Sequence, residues 1–273
     1  MTGRTVSPKA SGFVITLALL CWLLDGGPKA WQTANVIAEA QAAIGSTRAL
    51  QDVRSLILQG TVREGFNGVT GKLINTAYPV EIRIIRPDHF VRIVTTQSME
   101  VRNGYRGAEL LNEWIPLRPD INYHVQSRPE DIKHEHARFA RLILGMLAEP
   151  RTSLRLTAKA SGTGFVELVG PDGFRMTLEL DSVTRLPSAV RYQDELPFAI
   201  PMTPDAAKKG VAPLPKPERA DVAWVFDDHR LTDGLRLPYR VRQVSRDVTF
   251  FDMRFDRILV NPPLKSSDFK KVR

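Results

Sequence analysis

The segment from Phe165 to Tyr192 constrains the fold more than any other part of the chain, because apolar and polar side chains alternate along it. The apolar positions are Phe174, Met176, Leu178 and Leu180, and the residues between them and after the last are Arg175, Thr177, Glu179 and Asp181. Successive side chains of a strand point to opposite faces, so this period of two predicts an antiparallel strand with one buried face. Turn residues at 171–173 and 181–187 predict consecutive hairpins.

Composition and charge restrict the class of protein. A chain of 273 residues with 43% hydrophobic and 25% charged residues is typical of a globular protein with a sizeable core. A net charge of +8 suits a nucleic-acid or an anionic membrane partner. The arginines are scattered along predicted strands and form no dense cluster, which argues against nucleic acid. We interpret them as a solvated sheet face that can meet an anionic membrane surface.

The N-terminus has the features of a signal peptide, which we place at residues 1–30. Arg4 and Lys9 supply a positive region, and Gly12–Leu24 is apolar but shorter than the roughly 20 residues of a membrane span. Ala30 is the best candidate for the last residue of the signal, although the residues before it fit a cleavage motif poorly. We therefore expect a periplasmic protein, with an uncleaved membrane anchor as the alternative.

Cysteine usage agrees with this location. Cys21 is the only cysteine, and it lies within the apolar run of the signal. Leu20 precedes it where a lipoprotein signal requires a small residue, so lipidation is disfavoured. Removal of the signal leaves a mature chain without any disulfide, which must be stabilised by its hydrophobic core.

The mature chain, 31–273, reads as a single domain. Helical spacing covers Ala34–Ser55, where Gly45 is a plausible stop and Ser46 a plausible cap of a second short helix. Pro129–Leu147 has the spacing of the other main helix. Alternating patterns predict ten or more strands in the rest of the domain.

Two further segments carry turn or loop signals. Asn103-Gly104 is the strongest two-residue hairpin signal of the chain, and we place a turn there. The segment 196–217 contains six prolines, which a central strand does not tolerate. We interpret it as a long exposed loop or lid.

Residues that perform catalysis or bind metal do not form a recognisable set. In His134-Glu135-His136 the histidines are two residues apart, so on a helix they point about 200° apart and cannot share one metal. We interpret them as a solvated helix face. In Asp227-Asp228-His229, Asp228 falls on the apolar strand face, which would matter if it were buried, but the strand end is expected to reach solvent. Nucleophile and phosphate-loop motifs are missing, so we predict no enzyme, no cofactor and no metal.

Apolar side chains of several predicted strands share one face of the sheet. They are Leu56, Leu58, Ile82, Ile84, Met176, Leu178, Leu180, Trp224, Phe226 and Phe255. The simpler interpretation is a core packed under the helices. The alternative is a curved sheet that does not close completely on its helices and leaves a slot for acyl chains, in which these residues bind the ligand.

Several phrases of the sequence resemble the periplasmic lipoprotein carriers, the LolA/LolB-like and outer-membrane lipoprotein-sorting proteins. They are Ala49-Leu50-x-x-Val53-x-Ser55-Leu56, Leu178-Glu179-Leu180-Asp181 with Thr184-Arg185-Leu186-Pro187, and Asp233-Gly234-Leu235-Arg236-Leu237-Pro238. The resemblance implies an α+β fold: a strongly curved antiparallel sheet, or unclosed β-barrel, with helices plugging the concave face. It also implies a hydrophobic slot for acyl groups. The segment 196–217 is longer than a compact carrier needs.

Two functions are consistent with these features. The first is a monomeric, non-catalytic periplasmic protein that binds or transfers a lipid or acylated lipoprotein. The second is a ligand-free structural or envelope-sensing module that docks a protein partner, with its basic outer face and proline-rich loop as the contact surface.

Overall fold

Alternating side chains organise most of the chain into one antiparallel sheet of 12 strands. The computed structural model describes residues 28–67, 72–73, 75–118, 131–150, 156–162, 164–170, 174–195, 219–246 and 248–270. Residues 1–27 of the predicted signal peptide and the whole 196–217 segment lie outside the described residues. Within the described ranges, no helix is long and apolar enough to cross a membrane.

The helices and strands have the following bounds. The helices are α1 (Pro28–Ile44), α2 (Thr47–Asp52) and α3 (Asp131–Leu147), with a 3-10 turn at Ser266–Phe269. The first strands are β1 (Ser55–Glu64), β2 (Phe66–Asn67), β3 (Lys72–Leu73), β4 (Tyr78–Ile85), β5 (His89–Thr95), β6 (Met99–Arg106) and β7 (Glu109–Pro116). The later strands are β8 (Thr157–Gly162), β9 (Phe165–Val169), β10 (Arg175–Leu180), β11 (Pro187–Glu195), β12 (Arg219–Thr232), β13 (Leu235–Ser245) and β14 (Val248–Val260).

The strand order leaves the sheet open between its two edge strands. The order is β7-β6-β5-β4-β1-β14-β13-β12-β11-β10-β9-β8, while β2 and β3 form a separate small hairpin. The first and last strands, β1 and β14, therefore pair in the middle of the sheet. The two edges are β7 and β8, which have no ladder between them in the described part of the chain. The sheet is thus an unclosed barrel.

Helix α3 shows how strongly the sheet curves. It contacts β6 and β7 at one edge and β11, β12 and β13 in the other half of the sheet. One helix can reach strands so far apart in the order only if the sheet wraps around it. Helix α1 contacts β8, β9 and β13, so both long helices lie on the concave face. The expected fold, an unclosed barrel plugged by helices, is confirmed.

The concave face holds the main hydrophobic core. One cluster contains the inward side chains of the strands and apolar side chains from both long helices. The helix residues include Val36, Ala40 and Ile44 of α1 and the apolar stripe of α3, which is Phe139, Leu142, Ile143 and Met146. The rings of Phe90, Tyr105 and Phe139 pack against one another with centroids 5.8–6.2 Å apart. The cap of the short helix is as predicted, because Ser46 Oγ accepts a hydrogen bond from Ala49 N at 3.2 Å.

A second, smaller core lies on the convex face. Phe269 of the 3-10 turn packs there on Val91, Ile93 and Leu111, and all four side chains are buried. Strand β5 therefore has apolar residues on both of its faces.

The predicted turn at Asn103-Gly104 is wrong. Both residues lie inside β6, and the chain turns at Gly107, which has a φ of +57°. A Cβ on Gly104 would lie 2.0 Å from the carbonyl oxygen of Phe90 on the neighbouring strand. The glycine is therefore required by the close approach of β5 and not by a turn.

The contact between α3 and β12 can be tested at Gly145, where a Cβ would lie 1.9 Å from the ring of Phe226. We expect Gly145→Ala to lower the free energy of unfolding by about 2 kcal/mol, because overpacking a core outweighs the gain in helix propensity of about 1 kcal/mol. Denaturant unfolding measures this change. In a Phe226→Leu background the same substitution should cost little; an equal cost in both backgrounds would contradict the contact.

Candidate ligand-binding face

The apolar residues singled out in the sequence come together on the concave face. All of them belong to the main core, and none is more than 8% exposed. Leu56 and Leu58 of β1 lie opposite Ile84 and Ile82 of β4. On the other half of the sheet, Met176, Leu178 and Leu180 lie on β10, and Trp224 and Phe226 lie on β12. The structure thus assembles one continuous apolar surface, and a ligand on it remains a prediction.

Helix α1 covers part of this surface through a small set of contacts. Its described buried side chains are Val36, Ala40 and Ile44, of which Ala40 is small. Glu39 Oε2 accepts a hydrogen bond from Arg185 Nε at 2.8 Å, and Gln41 Nε2 donates to the carbonyl of Ala148 at 3.1 Å. These two polar contacts join α1 to the connection between β10 and β11 and to the residue that directly follows α3.

A buried arginine, Arg92 of β5, lies on the same concave face, and the sequence analysis missed it. Its side chain is 11% exposed, and its guanidinium forms an ion pair with Glu64 at the end of β1. Burial lowers the pKa of Arg92, and the Glu64 carboxylate opposes this shift. Because both faces of β5 are apolar, the alternation of that strand did not reveal which face Arg92 occupies.

A second concave arginine, Arg141 of α3, lies between aromatic rings. Its Cζ lies 3.5 Å from the ring centroid of Tyr192 and 5.5 Å from that of Phe174. The carboxylate of Asp194 is 3.9 Å away, and Nε is buried without a hydrogen-bond partner. Burial lowers the pKa of Arg141, while Tyr192 and Asp194 oppose the shift.

A hydrogen bond holds the Tyr192 ring in place under Arg141. Its hydroxyl accepts a hydrogen bond from Gln243 Nε2 at 2.9 Å, and the ring is buried in the main core. Burial raises the pKa of Tyr192. The phenol is therefore neutral at physiological pH and presents a fixed aromatic face.

The interpretation of His134-Glu135-His136 as a solvated face is correct only for His134, which is exposed. Glu135 is buried and accepts a hydrogen bond from Arg138 at 2.7 Å. His136 meets the Tyr105 ring edge-on with centroids 4.1 Å apart. This segment of α3 therefore packs against β6, which the spacing of the two histidines in the sequence did not indicate. Among the described residues no group of three or more His, Cys, Asp or Glu could hold a metal ion.

Asp228 does not point into the apolar face. It has a φ of +55° and lies between the register pairs of Asp227 and His229 with β13, so the alternation is interrupted there. Its exposed carboxylate accepts two hydrogen bonds from Arg230, which lower the pKa of Asp228. Asp227 pairs with Arg242 on the convex face. The expectation that this strand end reaches solvent is confirmed.

The convex face carries a basic groove of about 700 Å³ along β11, β12 and β13. Its lining includes Arg191, Arg219, Arg242 and Arg246, with Asp221 as the acidic residue among them. Ala223, Val225 and Val244 form an apolar floor. These arginines are scattered in the sequence. They line one groove because antiparallel pairing places β11, β12 and β13 side by side.

Two half-buried histidines, His136 and His229, make stability depend on pH. Burial lowers the pKa of His136 and of His229 below 6.5, so the unfolded chain binds more protons near that pH. Their contribution is fully present above about pH 6.5 and is lost as the pH falls toward the lowered values. We expect the free energy of unfolding to decrease from pH 7.5 to pH 5.5, by at most about 1.4 kcal/mol per histidine and pH unit.

Denaturant unfolding at the two pH values measures the decrease. Replacing both half-buried histidines, His136→Gln with His229→Gln, should remove it, whereas His134→Gln at an exposed position of α3 should leave it intact. Equal stability of the wild-type protein at both pH values would contradict the lowered pKa values of the two half-buried imidazoles.

Comparisons with solved structures name the same group of proteins as the sequence motifs. A LolA superfamily protein from Nitrosomonas europaea matches over 88% of this chain and 98% of its own, with 10% identity and a TM-score of 0.45. An outer membrane lipoprotein-sorting protein domain from Vibrio parahaemolyticus matches over 87% and 97%, also with 10% identity and a TM-score of 0.45. Family models and curated proteins give no match.

Proposed function

We propose that this protein binds a lipid or the acyl groups of a lipoprotein on its concave face and transfers them in the periplasm without catalysis. The supporting observation is the continuous apolar surface formed by β1, β4, β10, β12 and β14. Helices cover this surface in place of a second sheet. A helix that packs over a sheet can move as a unit and expose the surface beneath it.

Helix α1 is the cover that we expect to move. Gly45 follows it directly, and the helix is tied by the Glu39–Arg185 ion pair and the Gln41–Ala148 hydrogen bond. An acyl chain that replaces α1 on the sheet gains about 0.8 kcal/mol for each buried methylene. This gain offsets the exposure of the few apolar side chains that α1 buries, Val36, Ala40 and Ile44, and transfer follows when another apolar slot takes up the chain.

The ion pair that ties α1 provides a direct test with the neutral apolar fluorophore N-phenyl-1-naphthylamine. We expect stopped-flow fluorescence to show uptake by the wild-type protein and about two- to fivefold faster uptake by Glu39→Gln, because a partly exposed ion pair contributes up to about 1 kcal/mol.

The matched control is Glu167→Gln, which breaks an ion pair with Arg175 between β9 and β10 without touching α1. Its uptake rate should equal that of the wild type. Absence of any uptake would count against the apolar site itself, and equal rates for Glu39→Gln and wild type would count against α1 as the moving cover.

A second candidate function rests on the convex groove. Its arginines surround an apolar floor, a pattern that complements an acidic protein segment. In this function the core stays closed and the protein acts as an envelope module that docks a protein partner through the outer face. Arg219, at the start of β12, and Arg246, which directly follows β13, both line the groove and are the residues to change.

A ten-residue glutamate peptide tests this second function. We expect salt-sensitive binding that weakens at least about tenfold in the double variant Arg219→Ser, Arg246→Ser. Titration calorimetry at two salt concentrations measures the affinity. The double variant Arg63→Ser, Arg257→Ser removes the same charge from exposed positions outside the groove and should bind normally. Equal weakening in both variants would show a general charge effect and no docking site.

A further inference from the structure

Arg141 is a buried cation whose guanidinium donates no hydrogen bond to any of the described residues. The residue is 8% exposed, and a guanidinium offers five N–H donors. Asp194 lies at 3.9 Å, which is an ion-pair distance but too long for a hydrogen bond. Nε is fully buried and has no partner. Within the described residues the guanidinium therefore has one weak ion pair and no hydrogen bond.

Other inward or half-buried arginines are satisfied. Arg92 is hydrogen-bonded to Glu64, and Arg86 donates to the Val53 carbonyl at 2.8 Å and to Glu149 at 3.2 Å. Burying a charged group without hydrogen bonds is unfavourable, so native structures rarely keep one without a reason. A ligand that supplies the missing acceptors is such a reason.

The surroundings of Arg141 indicate what kind of acceptor fits. The guanidinium stacks on the Tyr192 ring, with Cζ 3.5 Å from its centroid, and Gln243 holds that ring through its hydroxyl. Stacking fixes the plane and leaves the N–H edge for an oxyanion, which a guanidinium binds through two parallel hydrogen bonds. The charged groups that face it are Asp194 on β11 and Arg138 on its own helix.

An apolar surface begins directly beside this cation. Tyr192 lies opposite Met176 on β10 and opposite Val222 on β12, and both are buried in the main core. A ligand bound to Arg141 through an oxyanion can therefore continue as an alkyl chain over the inward residues of β10 and β12.

We propose that Arg141 binds the anionic headgroup, a carboxylate or phosphate, of an amphiphile whose acyl chain lies on the concave face. This inference rests on the proposed function, because it assigns the headgroup class of that same ligand. Burial of the guanidinium, which lowers its pKa, strengthens the demand for an anion. Asp194 gives up its weak ion pair when the ligand binds.

The test compares oleate with its uncharged methyl ester at pH 8, using titration calorimetry on the full mature chain. We expect oleate to bind the wild-type protein at least about tenfold more tightly than methyl oleate, because hydrogen bonds to charged groups are strong. In Arg141→Met the preference should disappear while the affinity for methyl oleate is unchanged. Arg138→Met, the same substitution one turn earlier on α3, should keep the preference.

A measurement without substitution guards against a variant that fails to fold. The ¹⁵N–¹H signal of Arg141 Nε in the wild-type protein should shift on addition of oleate and stay in place with methyl oleate. The unliganded Arg141→Met protein should also melt at the wild-type temperature or above, since it loses an unsatisfied buried charge.

The other outcomes separate the two proposals. Equal affinities of the wild-type protein for oleate and methyl oleate would overturn the headgroup site and leave the apolar site standing. Failure to bind either one would overturn the proposed function. If inorganic phosphate binds at Arg141 as tightly as oleate, the site binds a free anion, and the assignment of an amphiphile as its ligand is overturned.

Discussion

The packing of α3 against the concave face is the contact on which the rest of the structure depends. The helix touches strands near one edge and in the opposite half of the sheet, so the curvature of the sheet and the position of the helix determine each other. At Gly145 the helix backbone comes close enough to Phe226 that a methyl group has no room. Leu142, Ile143 and Met146 extend that contact, and without them the inward faces of both halves would meet water.

Charged groups on this apolar face differ in how well they are satisfied. Arg92 has the carboxylate of Glu64 at the end of β1, two strands away in the sheet, and together they form a neutral unit that the core tolerates. Arg141 has aromatic rings and one distant carboxylate. A structural role explains the first arrangement, because the pair joins the end of β1 to β5. The second arrangement is better explained by a partner outside the protein, which is why Arg141 and not Arg92 carries our inference.

Much of the fold, and less of the site, could be predicted from the sequence. The antiparallel strand predicted within 165–192 is β10, which pairs with β9 and β11 as the predicted consecutive hairpins require, because its apolar residues alternate toward the buried face. The turn predicted at Asn103-Gly104 was wrong, because Gly104 is required by the close approach of β5 to β6 and not by a turn. The burial of Arg141 was not foreseen, because α3 is enclosed on more sides than its apolar stripe suggests. Long-range packing of this kind leaves no periodic signal in the chain.

The pairing of β1 with β14 has a consequence for how the molecule assembles. Within strands β4 to β7, and within strands β8 to β13, every sheet neighbour is also the next strand along the chain, so each set is built from pairs of consecutive strands. The ladder between β1 and β14 joins residues as distant as Leu56 and Val260. Closing so long a loop is costly in chain entropy and slow. The two halves are thus prone to form early, and their union must wait until the last strand of the chain is present.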